Sequence, residues 1–112
     1  VFSSVNSFAQ KAGLIALDYK MDHVIEHYRK KRDLVYEGLK DKYRVVKPEG
    51  AYFIFPEAPD GDGDAFVERA IQKNLFIIPG SVFSCKKTNF RISFAASEEN
   101  IIKGIEILRG LA

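Results

Sequence analysis

The chain has 112 residues, of which 46% are apolar and 29% are charged, and its formal net charge is +2 at pH 7. These values are ordinary for one globular domain, and so small a charge does not by itself indicate a nucleic acid or an anionic membrane as partner. No apolar run approaches the ~18 residues of a membrane span. A single cysteine, Cys85, cannot form an internal disulfide, so we expect a cytoplasmic protein. The chain opens on Val1 without a signal peptide or an initiator methionine, and we expect a fragment.

The first predicted element is a helix over residues 3 to 17, where alanine is frequent. One side of it carries an apolar stripe, which consists of Val5, Phe8, Ala12 and Ile15 together with the preceding Phe2. Such a stripe does not stay in water without cost, because burying each large side chain is worth ~1.5–3 kcal/mol. We therefore separate residues 1 to 18 from a domain at residues 19 to 112. We expect the first segment to pack on a second copy of the chain or to fold back on the domain.

The second predicted element is a long helix that has Asp22 as its N-cap and ends near Leu39. Its apolar stripe consists of Val24, Tyr28, Val35 and Leu39. Because Arg32 falls inside this stripe, its head group must reach either water or a carboxylate.

The rest of the chain alternates short strands with helices. Strands are predicted at residues 44 to 46, 51 to 55 and 76 to 78, and around Arg91. Turns at Pro48–Gly50 and Pro79–Gly80 separate them. Two further helices are predicted, one after an Asp64 cap to about Asn74 and one after a Ser97 cap. The pattern predicts an α/β (α+β) fold, in which helices cover a small mixed or antiparallel sheet of three to four strands.

The strand around Arg91 carries the most information. It alternates large apolar residues (Phe90, Ile92, Phe94) with Arg91 and two small residues, so one face packs and the other is clear of bulk. Small neighbours leave room for a ligand, and a planar guanidinium suits a carboxylate or a phosphate. A solvated or ion-paired arginine is the alternative that the pattern leaves open. The segment Pro79–Phe83 is either a shaped loop beside this arginine or a plain turn.

Two strings imitate metal sites. His23 and His27 fit the H-x-x-E-H zinc pattern on a helix, but no third ligand follows, and both flank the apolar stripe as boundary residues do. The run Asp60–Asp64 begins like a calcium loop. Ala65 stands where that loop needs glycine and Ile71 where it needs glutamate, so a turn and a helix cap explain the run better. We expect no metal.

Taken in order, several strings resemble one family. They are Ser7–Ala12, Tyr28–Asp33, Pro48–Phe55, Phe76–Phe83, Phe90–Ala95 and the last helix with Glu99 and Ile101. This sequence resembles the C-terminal small domain of a class I/II aminotransferase, a pyridoxal-phosphate-dependent enzyme of aspartate aminotransferase type. The resemblance departs from the family at Ser84, where glycine is common, and in the loop Cys85–Thr88, which lacks the usual glycines.

The resemblance implies that Arg91 binds the substrate's α-carboxylate, and that residues 1 to 18 lead from a large domain into a small domain at 19 to 112. The parent protein would use pyridoxal 5'-phosphate to move an amino group between an amino acid and a 2-oxo acid, as a dimer. The family's cofactor lysine has no matching context here. We therefore expect this chain to bind no cofactor and to be inactive alone, with no catalytic residue of its own.

Two other classes of protein stay open. One is a stand-alone α/β module in which Arg91 binds a carboxylate ligand, or serves regulation, without chemistry. The other is a nucleic-acid binder that uses the basic run Arg29–Arg32. Helical geometry scatters those four residues around the axis, so a solvated helix face is favoured over a binding patch.

Overall fold

The computed structural model describes residues 4–112, so Phe2 lies outside the described residues. Its helices are α1 (Ser7–Leu17), α2 (Asp22–Leu39), α3 (Gly63–Gln72) and α4 (Glu98–Leu111). Its strands are β1 (Phe53–Ile54), β2 (Ile78–Pro79) and β3 (Phe90–Ser93), and a 3-10 turn spans Gly80–Val82. Within the described residues, no helix is long and apolar enough to cross a lipid bilayer.

The three strands form one antiparallel sheet in the order β1-β3-β2. Phe53 lies opposite Ser93 on one side of β3, and Ile78 lies opposite Arg91 on the other. The predicted α+β class with a small antiparallel sheet is therefore confirmed. The predicted strand at residues 44 to 46 is wrong: this segment is irregular, and the Arg44 carbonyl accepts one backbone hydrogen bond, from Glu57 (3.0 Å).

The other two early strands are shorter than predicted. Ala51 has a φ of 58°, which is incompatible with extended pairing, so β1 begins only at Phe53. The strand predicted at 76 to 78 is displaced to Ile78–Pro79, where its register matches β3, and Phe76 stays exposed.

A single apolar core lies between the sheet and helices α2, α3 and α4. It is made by Val35, Leu39, Tyr43, Ile54, Ala58, Phe66, Val67, Ala70, Ile77, Phe90, Phe94, Ile101 and Leu108. At its centre the rings of Phe66 and Phe90 stack with centroids 4.5 Å apart, and Tyr43 meets both edge-on. The core therefore fixes β3 from one face.

Two of the three predicted helix caps are wrong. Asp22 is the first residue of α2, and the N-cap is Met21, which makes no side-chain cap bond. Helix α3 starts earlier than predicted because Asp62, in extended conformation, accepts a hydrogen bond from the Ala65 amide (3.0 Å). Asp64 thus lies inside the first turn.

The ends of α3 and α4 follow local rules. Asn74, with a φ of 59°, lies just beyond the end of α3 at Gln72, and the Leu75 amide donates to the Ala70 carbonyl (3.0 Å). Ser97 caps α4 as predicted, accepting a hydrogen bond from the Asn100 amide (3.3 Å).

Helix α1 stands apart from the core. All residues from 4 to 23 are exposed, and the relative solvent exposures of Phe8 and Leu17 are 80% and 83%. The helix forms where the sequence predicts it, capped by the Asn6 side chain on the Phe8 amide (2.9 Å). It does not fold back on the domain, and its packing on a second copy of the chain stays a prediction.

Candidate functional site

Strand β3 has the two faces that its alternation predicts. Phe90 and Phe94 are completely buried and Ile92 is partly buried against the core. Arg91 points to the other face, where it is half-buried, while Ser93 is exposed. The strand therefore exposes one guanidinium on the face opposite to the one that packs on the core.

Two aromatic rings enclose the Arg91 guanidinium. Its central carbon Cζ lies 3.8 Å from the ring centroid of Phe83 and 4.2 Å from that of Phe53. Phe53 reaches this position because it pairs with Ser93, two residues along from Arg91 and on the same face of the sheet. Both distances are those of a cation stacked on an aromatic face.

The N–H groups of the same guanidinium have no partner among the described residues. Within residues 4–112, Arg91 takes part in no ion pair, and its five N–H donors make no hydrogen bond. The described part of the chain also contains no buried side-chain nitrogen or oxygen without a partner, so these N–H groups reach solvent. The arginine is therefore packed against two aromatic rings while its N–H groups stay free for an acceptor such as a planar carboxylate.

The loop that carries Phe83 requires glycine at its start. The Gly80 amide donates to the Asn89 carbonyl (2.7 Å), and a Cβ at this position would lie 2.5 Å from the Lys86 carbonyl oxygen. Phe83 follows directly, and its amide donates to the Gly80 carbonyl (3.0 Å). The segment Pro79–Phe83 is therefore a shaped loop beside Arg91 and not a plain turn.

Ser84 does not disturb this loop, although it stands where glycine is common in the family that the sequence resembles. The described residues with positive φ do not include it. Its hydroxyl accepts a hydrogen bond from the Lys86 amide (3.1 Å), which fixes the turn locally.

The two strings that imitate metal sites form no site. His23 and His27 meet the rings of Tyr19 and Tyr28 edge-on, with centroids 6.2 and 5.8 Å apart. Asp60 pairs with Arg69 (2.7 Å), and this hydrogen bond holds the pKa of the Asp60 carboxyl below its usual range. No group of three potential metal ligands occurs between residues 4 and 112.

The basic run on α2 is not one patch. Arg29 pairs with Glu26 and Arg32 with Asp33, each at 2.7 Å, so Arg32 finds the carboxylate that its place in the stripe demands. Lys31 points elsewhere and donates to the Ala96 carbonyl (2.5 Å).

Sequence reasoning missed Phe53 and Phe83 as neighbours of Arg91. Period-two alternation places Phe53 on one face of its own strand, but only the register with β3 decides whether that face is shared with Arg91. The loop conformation after Gly80, which carries Phe83, depends on contacts with residues 86 to 89.

Comparison with known proteins identifies the family. A profile of the family "Aminotransferase class I and II" matches residues 1–108. A probable aspartate aminotransferase of Methanocaldococcus jannaschii is 34% identical over 96% of this chain and 30% of its own length. The crystal structure of an aspartate aminotransferase of Thermotoga maritima superposes with a TM-score of 0.87 at 32% identity, over 96% of this chain and 29% of that chain. The chain belongs to the class I and II aminotransferases.

The match covers only part of those relatives: the chain spans about 30% of the length of the curated relatives it matches. Similarity also does not fix one activity. A (5-formylfuran-3-yl)methyl phosphate transaminase, likewise of Methanocaldococcus jannaschii, is 33% identical over 97% of this chain and 31% of its own length.

The lysines of this chain do not fit pyridoxal phosphate, the cofactor of this family. A lysine that forms an imine with the cofactor works as a free amine in an enclosed site. All lysines of the chain are exposed except Lys31, and its amine is occupied by the Ala96 carbonyl. We therefore derive no chemical step through the cofactor from these residues.

Proposed function

We propose that this chain is the C-terminal small domain of a longer pyridoxal-phosphate-dependent aminotransferase, and that Arg91 binds the substrate α-carboxylate in that protein. Family membership supports the first half. The observation that carries the second is the guanidinium itself, which lies at stacking distance from Phe53 and Phe83 and lacks a counter-ion within residues 4–112.

A carboxylate would complete this arrangement. It can accept two parallel N–H bonds from the open edge of Arg91, and hydrogen bonds to charged groups contribute about 1.5–3 kcal/mol each. The rigid strand holds the guanidinium in place, so binding orients the reacting part of the substrate. In the longer protein, movement of this domain would then close the cleft over the bound substrate.

The α-carboxylate is the part of the substrate that every amino acid and 2-oxo acid shares. Relatives of nearly equal identity to this chain carry names for different substrates. We therefore assign Arg91 to the common group and leave the choice of side chain to residues elsewhere in the longer protein.

The experiment compares two arginine variants of the longer protein. Arg91→Lys keeps the charge but loses the two-pronged geometry and the stacking, so kcat/KM should fall by roughly 10- to 100-fold, as expected for lost charged hydrogen bonds. Arg109→Lys is the matched control, because Arg109 already holds Asp41 and should leave kcat/KM within twofold. Equal kcat/KM for the Arg91 variant and the unaltered protein would refute the assignment.

We also propose that the 112-residue chain alone is inactive and holds no cofactor. After mixing with pyridoxal phosphate and gel filtration, the protein fractions should carry no cofactor absorbance and should catalyse no amino transfer. Retained absorbance or a measurable rate would contradict this part of the proposal.

Helix α1 supplies the proposed partner surface, and a second copy of the chain is its proposed occupant. The helix has 11 residues, none of them buried, and Lys11 is its one charged residue. Apolar residues occupy more than one side of it, which is typical of a helix that is buried on assembly. The single cysteine, Cys85, is free and exposed, which agrees with a reducing, cytoplasmic location.

Light scattering on two forms of the chain tests this surface. The intact chain should be a dimer, and deletion of residues 1 to 18 should give a folded monomer, because none of the described residues up to 18 packs on the core. A monomeric intact chain that unfolds on deletion would show instead that α1 belongs to the domain's own core.

A further inference from the structure

The Arg91 side chain needs something to hold its orientation. An arginine has several rotatable bonds, and binding a ligand through both prongs requires that they be fixed. Other arginines of the domain are fixed by carboxylates: Arg69 by Asp60, at 2.7 Å, and Arg109 by Asp41, at 2.6 Å. Arg91 has no such partner among the described residues, so its two aromatic neighbours are the contacts that fix its plane.

The two rings are themselves held in place. Phe53 lies in β1, which pairs with β3, and the ring of Tyr52 lies 4.4 Å from its own, centroid to centroid. Phe83 is held by the hydrogen bond from its amide to the Gly80 carbonyl. Its side chain is 46% exposed, so it lies on the solvent side of Arg91. One wall is thus set by the sheet and the other by the glycine loop.

We propose that Phe53 and Phe83 are positioning residues that hold the Arg91 guanidinium so that a carboxylate binds only in its plane, at its edge. This inference rests on the proposed function of Arg91. The ring centroids lie 4.2 and 3.8 Å from Cζ, which are stacking distances, so we place the ligand at the edge of the guanidinium. They therefore act on substrate binding through Arg91, without touching the reacting atoms.

The first test measures the orientation directly, in the 112-residue chain. In Phe83→Leu, the ¹⁵N relaxation of the Arg91 Nε–H group should show faster motion, and Phe83→Tyr should restore the slow motion because tyrosine keeps an aromatic face. Phe76→Leu is the control, since Phe76 is 81% exposed and does not stack on Arg91. Unchanged Nε–H motion in Phe83→Leu would overturn the inference.

The second test is kinetic and uses the longer protein. Phe53→Leu and Phe83→Leu should each raise KM for the amino acid roughly 3- to 30-fold, the range expected from cation–π contacts, and kcat at saturation should stay within twofold. Phe83→Tyr should restore KM. If Phe53→Leu does not fold, as circular dichroism would show, the partly exposed Phe83 carries the test. A fall in kcat with KM unchanged would overturn the positioning role.

The two proposals fail in different ways. If Arg91→Lys leaves kcat/KM unchanged, the carboxylate role of Arg91 is wrong and the positioning role falls with it. If Arg91→Lys impairs the enzyme while the phenylalanine variants change neither KM nor Nε–H motion, only the positioning role is wrong.

Discussion

Arg109 is held by a carboxylate and Arg91 by two aromatic rings. From this contrast we infer different roles for the two side chains. Arg109 binds both oxygens of Asp41, at 2.6 and 2.8 Å, and also donates to the Gly38 carbonyl (2.9 Å). Arg91 lies against the rings of Phe83 and Phe53, at 3.8 and 4.2 Å from Cζ, and pairs with no carboxylate of residues 4–112. The chain completes one guanidinium internally, and we propose that the other is completed by a ligand. Asp41 shows the geometry that a substrate carboxylate would adopt at Arg91.

The surroundings of Arg109 have a structural role. Beside it, the last turn of α4 carries buried Leu108, whose carbonyl accepts a hydrogen bond from the Tyr43 hydroxyl (2.5 Å). These contacts hold the C-terminal turn of α4 against the end of α2. We therefore expect changes near Arg109 to lower stability and changes at Arg91 to lower ligand binding.

The largest effect on stability should come from Leu108→Ala. This side chain is 2% exposed, and removing a buried leucine costs about 2–5 kcal/mol of unfolding free energy. Arg91→Ala should cost about 1 kcal/mol or less, the worth of its cation–π contacts. Urea unfolding of both variants measures the two losses of unfolding free energy. Equal losses would contradict a structural role for the Arg109 region and a binding role for Arg91.

A smaller effect is expected from Tyr43→Phe. Loss of the hydroxyl bond to Leu108 should cost about 1 kcal/mol at neutral pH. Burial raises the pKa of Tyr43 to about 12 from a usual value of about 10. The unfolded chain therefore releases this proton first, so stability present below pH ~10 should be lost as the pH rises toward 12.

Urea unfolding at neutral and alkaline pH checks this assignment. The difference in stability between the unaltered chain and the Tyr43→Phe variant should shrink as the pH rises from 10 to 12. The other tyrosines are present in both proteins, so they do not contribute to that difference. A difference that stays constant with pH would contradict a buried Tyr43 hydroxyl.

The smallest effect is expected at the Arg109–Asp41 pair, which is exposed to solvent. The hydrogen bond from Arg109 lowers the pKa of Asp41, so the stability it contributes is present above the usual carboxyl range. It should be lost as the pH falls through the lowered pKa. Arg109→Gln should therefore reduce stability slightly at neutral pH and not at strongly acidic pH, as followed by thermal unfolding.

A matched control isolates this pair. In an Asp41→Asn background the carboxylate is absent, so Arg109→Gln should have no pH-dependent effect. The same pH dependence in both backgrounds would mean that Arg109 acts through other groups.

How much the sequence predicts depends on the range of the interactions involved. The two faces of β3 and the Ser97 cap follow from nearby residues, and the structure confirms both. The predicted cap of α3 is wrong because the Gly63 amide donates to the distant Lys87 carbonyl (2.8 Å), and this contact fixes where the helix begins. The strand predicted at residues 44 to 46 is wrong because a strand needs a neighbouring strand to pair with, and the local pattern does not reveal one.

The candidate site divides in the same way. Arg91 was found from the alternation of its own strand and from a family resemblance. Its neighbours Phe53 and Phe83 come from a different strand and from a loop, and their approach depends on sheet register and on the close packing at Gly80. Local patterns therefore identify the charged group, and only the fold shows how it is held.

The most direct test of the account is a crystal structure of the longer protein with a substrate amino acid or 2-oxo acid bound. We expect both α-carboxylate oxygens at ~2.7–2.9 Å from Arg91 nitrogens, in the plane of the guanidinium and beside the rings of Phe53 and Phe83. A substrate whose α-carboxylate is held by another cation, with Arg91 left in solvent, would contradict it.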